Sequence, residues 1–389
     1  MRSRGNTVPR TGVSVRVLQV FTVTDPQGSY GGPQRVALNQ TTQLRSMGHH
    51  VDLVAGHVGF DVPPRAVDSV DLQSFRVERL PRLGFAGYSS RGMRAWLRSR
   101  ASLYDVAHVH LGRDLVSLPA ALWAIQAGIP LVVQTHGMIG PSRNPLAPFV
   151  DALATRRVLR AAHSVLTLTD REQVEVRAVE PGARLRHLGN GVPVPELPDY
   201  HGRGPEVLFL SRLHARKRPL VFVEMAAILA PKFPGLKFTI AGPDEGELAR
   251  VKVRIAELGL EDRVIYEGSC DPGAASGRIQ RASVFVLPAV REVFPMVLLE
   301  AFAAGTPVVA TPSLGIAAAC EEYGAALLPG EAPSELAEAV TRVVAEPGLA
   351  DAMRRGAHAY LSEKLDIRAV AQELESVYIE AARRGAGTK

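Results

Sequence analysis

Cysteine is scarce in this chain of 389 residues: only Cys270 and Cys320 occur, and they are not spaced as a metal-binding pair. That excludes a disulfide framework and a cysteine-built zinc site, and makes the cytoplasm the expected compartment. Lysine is missing altogether from residues 1–192, where 23 arginines stand against 13 acids; the rest of the chain carries 22 basic and 26 acidic residues. The first half is therefore the basic, partner-facing half, suited to an anionic acceptor or a membrane surface. Long hydrophobic runs are also absent. The longest, from Leu118 to Val133, is broken by Pro119, Gln126, Gly128 and Pro130, short of the roughly 20 apolar residues of a membrane span. The opening MRSRGNTVPRTG lacks the apolar core of a signal peptide. No GxGxxG follows the first strand, which argues against a dehydrogenase, and no interleaved motif in the Arg-rich half supports nucleic-acid binding.

What is present is a soluble composition, 46% hydrophobic and 22% charged, at a length that suits two domains. Val13–Val23 reads as a first parallel strand. A glycine loop with Gly31 and Gly32, a helix to about Met47 and a second strand from Val51 follow. YDVAHVHL places His108 and His110 on one face of a strand. His110 reads as a structural residue, and no third ligand nearby completes a metal site. IPLVVQTHGMI ends a buried strand at His136, entering a glycine turn, the place where open α/β sheets hold functional groups. Over Arg91–Arg100, Met93, Trp96 and Leu97 share one helical face among arginines. Such a helix either faces the core or lies on an anionic bilayer.

The second half restarts the pattern. After a Pro- and Gly-rich stretch at 193–205, EVLFL is a strand and SRLHARKRP a loop with Arg212 and Lys217 five apart. Two cations at the carboxyl end of a strand suit a diphosphate. Val284–Leu287 is a buried strand, Glu292 lies in the loop after it, and a helix from about Met296 carries Glu300 before stopping at Gly305. Leu298, Leu299, Phe302 and Ala303 surround Glu300, so its charge needs a partner. The last segment, Asp366 to Arg384, aligns Ile367, Val370, Leu374, Tyr378 and Ala381 on one stripe, the pattern of a docked amphipathic helix.

The stretch Glu292 to Glu300 followed by AFAAGTPVVAT resembles the donor-site signature of the family 4 retaining glycosyltransferases. The Gly31–Gly32 pair, the T-H-G segment at His136, the NGV at Asn190 and the Arg212/Lys217 pair match further motifs in order. Ser211 departs from the pattern, where a glycine is common. The resemblance implies an α/β chain of GT-B fold, two Rossmann-like domains facing each other across a cleft, with a C-terminal helix crossing back onto the first. The expected divisions are a disordered tail at 1–12, an acceptor domain at 13–192, a linker at 193–205, a nucleotide-sugar domain at 206–365 and the returning helix at 366–389. It implies transfer of a sugar from a UDP- or GDP-linked donor to a sugar, lipid-linked or small-molecule acceptor, with no cofactor. The absence of an Asp-x-Asp triplet fits a reaction without metal. By the same resemblance, His136, Glu292, Arg212 and Lys217 act at the reacting sugar and diphosphate. Gly31, Gly32, Asn190, Ser269, Cys270, Glu300 and the backbone at Phe294, Met296 and Val297 complete the donor site. An epimerase or hydrolase of this fold, or a non-catalytic partner subunit, would share these motifs. A peripheral position at an inner membrane face is the further expectation for the basic half.

Overall fold

The computed structural model describes residues 14–28, 31–81, 83–200 and 203–386; the tail expected at 1–12 lies outside them. Two parallel sheets dominate. The first contains β1 (Arg16–Thr24), β2 (His50–His57), β3 (Gln73–Arg76), β4 (Val106–His110), β5 (Leu131–Gln134), β6 (Ser164–Thr167) and β7 (Leu185–His187), in the spatial order β7-β6-β5-β4-β1-β2-β3. The second contains β8 (Glu206–Leu210), β9 (Lys237–Ala241), β10 (Val264–Tyr266), β11 (Val284–Leu287), β12 (Val308–Ala310) and β13 (Ala326–Leu327), ordered β10-β9-β8-β11-β12-β13. Counted from each domain's own first strand, both sheets run 3-2-1-4-5-6, and the first adds a seventh strand at the far edge; this is the doubly wound arrangement of nucleotide-binding sheets. Their sequences explain the burial. In β1 every residue after Arg16 is buried, because helices cover both faces of a parallel sheet and leave no face for alternating polar residues.

The helix Met296–Ala303 ends as its sequence requires. Gly305 sits at a φ of +60°, its N–H donates to the Phe302 carbonyl, and Thr306 N–H donates to Ala301. This pair of bonds closes the last turn and needs a residue that tolerates the left-handed region.

The last helix, Ile367–Ala386, returns to the first domain. Val370, Leu374, Tyr378 and Ala381 are buried with Val17, Val106, Val132 and Leu166 of β1, β4, β5 and β6. The chain thus passes between the domains twice, and the two passages touch: Val192 N–H donates to the Leu365 carbonyl, and Ile367 N–H to Val192. A Cβ on Gly191 would stand 2.7 Å from Ile367, so only glycine permits that approach. The stretch after Val192 is pinned rather than loose, with Arg354 donating to the Pro198 carbonyl and His358 3.0 Å from that of Pro195.

The basic helix differs from one of its two expected roles. Over Arg91–Arg98, Met93 and Leu97 are fully buried in the core of the first domain, and Trp96 packs edge-on against Phe75. Its apolar face is spent inside the domain and cannot enter a bilayer. Among the described residues, no helix is long and apolar enough to cross a membrane.

Candidate functional site at the cleft between the sheets

In each sheet the strand order reverses beside the domain's first strand, and the loops leaving the carboxyl ends there diverge to leave a crevice. The crevice of the first sheet lies between β1 and β4, that of the second between β8 and β11. They share one cavity of about 530 Å³. Gly31, Gly32, His136, Asn190, Arg212, Lys217, Cys270, Glu292, Phe294, Met296, Val297 and Glu300 all line it. Ser269 does not: it is exposed beside the lining, while its neighbour Cys270 is on it. Space next to the glycine pair is open, since a Cβ on Gly31 or Gly32 would have no protein atom within 4 Å. Gly242 is tighter. At a φ of +134° it lies against the backbone of Ser211 and Arg212, an approach that a Cβ would block.

The charged side chains pair across this space. Lys217 Nζ lies 2.9 Å from Glu292 Oε1 and Arg216 Nη2 lies 3.6 Å from the same oxygen, with the Lys217 and Glu292 side chains only 10% and 11% exposed. Burial pulls the Lys217 ammonium below the ordinary lysine value, and Glu292 draws it back up. Arg212 Nη1 donates to both oxygens of Glu245, at 2.8 and 2.9 Å, so a carboxylate outside the lining fixes this guanidinium. Glu300 pairs with the other domain: Arg35 Nε, from the helix Gly31–Ser46, lies 3.2 Å from its Oε1, and Arg35 Nη1 donates to Asp68 at 2.6 Å. Burial raises the Glu300 carboxyl above its usual range, and Arg35 opposes that. The helix Met296–Ala303 has Pro295 at its start and no side chain capping it; Leu298 N–H turns back to the Pro295 carbonyl, which leaves the amides of Met296 and Val297 to meet an anion.

His136 is held by an extended polar chain. It takes a φ of +50° and Gly137 one of +71°, a strained turn for the histidine. Glu172 anchors that turn by accepting hydrogen bonds from Thr135 Oγ1, Gly137 N and Leu168 N. Behind it, Gln19 Nε2 donates to Gln40 Oε1 at 2.7 Å and to His110 Nε2 at 3.0 Å, while Gln19 Oε1 accepts from Thr41. An acceptor at Nε2 puts the His110 proton on Nδ1, which lies 2.7 Å from His136 Nε2. His136 therefore accepts at Nε2 and carries its own proton on Nδ1. Burial pushes His136 down to about 3 and His110 well below 6.5, so both rings are neutral near pH 7. His110 is satisfied, as its sequence position suggests, but its partner is the cleft histidine. Gln40 continues the chain through Gln134 to Asn190, each link 3.1 Å.

Residues 31–191 match the family described as glycosyl transferase 4-like domain, and residues 200–360 match glycosyl transferases group 1. The chain belongs to the family 4, group 1 glycosyltransferases. Its similarity to named relatives runs along most of its length. It is 28% identical over 354 residues to the D-inositol 3-phosphate glycosyltransferase of Streptomyces bingchenggensis, covering 82% of this chain and 76% of that one. It is likewise 28% identical over 328 residues to the alpha-D-kanosaminyltransferase of Streptomyces kanamyceticus, covering 76% and 84%. Among solved structures, Anabaena HepE in complex with UDP-glucose superposes with a TM-score of 0.72 at 16% identity, over 94% of this chain and all of that one. That likeness is one of fold.

For this glycosyltransferase, sequence reasoning passed over Arg35, Glu172 and the glutamine chain. Arg35 carried a weak signal, a lone cation at the start of the glycine-loop helix. Glu172 and Gln134 carried none, because apart from Leu168 their partners lie 35 to 94 residues away. Among the described residues no three His, Cys, Asp or Glu side chains cluster as a metal site.

Proposed function

We propose that this glycosyltransferase moves a sugar from a UDP-linked donor to a hydroxyl of a sugar or cyclitol acceptor, with retention at the anomeric carbon and without a metal ion. The observation that carries the reading is the convergence on one cavity of a cationic loop (Arg212, Arg216, Lys217), two carboxylates (Glu292, Glu300) and the neutral ring of His136. The cations suit a departing diphosphate, the carboxylates suit sugar and ribose hydroxyls, and the histidine ring suits the sugar near its reacting carbon. In the reaction, the bond from the anomeric carbon to the diphosphate oxygen breaks. The acceptor oxygen bonds to that carbon on the same face, and its proton passes to the leaving phosphate oxygen. Arg212 and Lys217 are already held in place, so they stabilise the leaving charge with little reorganisation. The relatives' printed names, for an inositol phosphate acceptor and for an aminosugar donor, and the UDP-glucose complex of HepE support donor and acceptor of this chemistry.

The test is a panel of UDP- and GDP-sugars. Native-state binding raises the melting temperature for the true donor. Transfer with that donor is then followed by NMR in the presence of EDTA. The expected product keeps the donor's anomeric configuration; an inverted product, or a reaction stopped by EDTA and restored by a divalent cation, would overturn the corresponding part.

A further inference from the structure

The turn at His136 leads into a helical segment over residues 147–161, built of Ala147–Val150, a π-helical stretch Asp151–Thr155 and Arg156–Ala161. Ala147, Asp151, Thr155, Val158 and Leu159 face inward and are buried. The outward side is unusual. Leu146, Phe149 and Leu153 are 50%, 65% and 63% exposed, at spacings of three and four that stack them on one stripe. The stripe continues into exposed Arg156, Arg157 and Arg160, and exposed Arg143 precedes it. Asp151 is the one acid between residues 143 and 160. It is turned inward and bound by Arg113 at 2.8 and 2.9 Å. Arg160 pairs with Glu180 yet keeps 69% of its side chain exposed.

Clustered large apolar side chains on a solvent-facing helix mark a docking surface. The charge pattern selects its occupant: an apolar stripe flanked by arginines with no outward acid matches a surface that is apolar within and anionic at its face. We propose that this segment rests on an anionic lipid bilayer, with Leu146, Phe149 and Leu153 in the headgroup boundary and Arg143, Arg156, Arg157 and Arg160 on lipid phosphates. The surface is coupled rigidly to the cleft. Besides Asp151, the Arg113 guanidinium binds the Gly140 carbonyl at 2.7 Å and that of Met138 at 3.2 Å, so one side chain staples the helix to the loop beginning at His136. Docking would hold the cleft at a fixed distance from the lipid surface, within reach of an acceptor carried there.

The experiment is cosedimentation of the full chain with vesicles of phosphatidylcholine alone or mixed with phosphatidylglycerol. It uses no sugar donor, so it fails or succeeds independently of the catalytic reading. The wild type should bind the mixed vesicles on the order of tenfold better, an advantage that salt removes. The doubles Phe149→Glu/Leu153→Glu and Arg156→Glu/Arg157→Glu should each fall to the phosphatidylcholine level, with melting temperatures unchanged because all four side chains are exposed. Arg94→Glu/Arg98→Glu, on the helix whose apolar face is buried, should bind like wild type. Wild type that ignores both vesicles, or a Phe149→Glu/Leu153→Glu variant that binds as well as wild type, would overturn the proposal. So would a wild-type dimer that this double variant dissolves, since the stripe would then be a contact between copies.

Discussion

At the scale of single residues, the cleft depends on groups that cannot be exchanged for near neighbours. Lys217 is buried against Glu292, and removing either leaves a charge without its counterpart at the place where the proposed reaction would hold leaving-group charge. Lys217→Ala and Glu292→Ala should each lower kcat/KM by about 10²–10³-fold, the cost of losing one preorganised electrostatic group. Circular dichroism should report an intact fold in both. Wild-type-like turnover in either would sink the assignment. Gly137 is constrained for a different reason: at a φ of +71°, a Cβ would stand 2.5 Å from Val293 Cγ2 across the cleft. Gly137→Ala should cost about 1–2 kcal/mol of stability through its left-handed backbone and, beyond that, impair transfer by wedging the cleft. Adding Val293→Ala should recover activity but not stability. If the double variant is as inactive as the single one, the steric account is wrong.

Among the elements, β4 has the most consequential side chains. His108 stacks on His110 with ring centroids 4.8 Å apart, His110 on His136 at 5.0 Å, and His108 Nδ1 lies 2.7 Å from Tyr378 Oη on the returning helix. Burial, joined by the His136 ring, pushes His108 down to about 3. In the unfolded chain each ring takes a proton near 6.5. Below that pH the unfolded state binds more protons than the native one, so stability falls as pH falls. It is full above 6.5 and declines toward 3, by about 1.4 kcal/mol per pH unit for each fully buried ring. His108→Gln, which can still meet Tyr378, should remove one ring's share of that slope in denaturant titrations between pH 6.5 and 5. An unchanged slope would show that the stack is not what titrates.

For the whole molecule, the two domains meet at a hinge and at a few contacts across the cleft. The hinge is the paired passage at Val192 and Asp366, where glycines let the strands of chain approach. Opposite it, Arg35 reaches Glu300 from the other domain. A donor whose ribose engages Glu300 would compete with Arg35, so the pair is expected to close the cleft before the donor arrives. Arg35→Ala should enlarge the radius of gyration of the donor-free protein in small-angle scattering, and added UDP should shrink it again. Identical scattering curves for variant and wild type would show that the ion pair does not govern closure.

The order of strands and helices, the position of the glycine turns, the two glutamates around Met296–Ala303 and the amphipathic stripe of the last helix were all legible in the sequence. Each follows from sterics and periodicity among residues close in the chain. The returning helix was legible as docked because five apolar residues on one face must be covered by something. What covers a face was not legible. The helices at Arg91–Arg98 and at 147–161 carry the same mixture of arginine and large apolar residues, yet the first buries its apolar side and the second presents it to solvent. The pairings of Lys217 with Glu292, Arg35 with Glu300 and His110 with His136 likewise span 26 to 265 residues. Periodicity states that a surface is apolar or charged; only the packing of distant segments decides which other surface it meets.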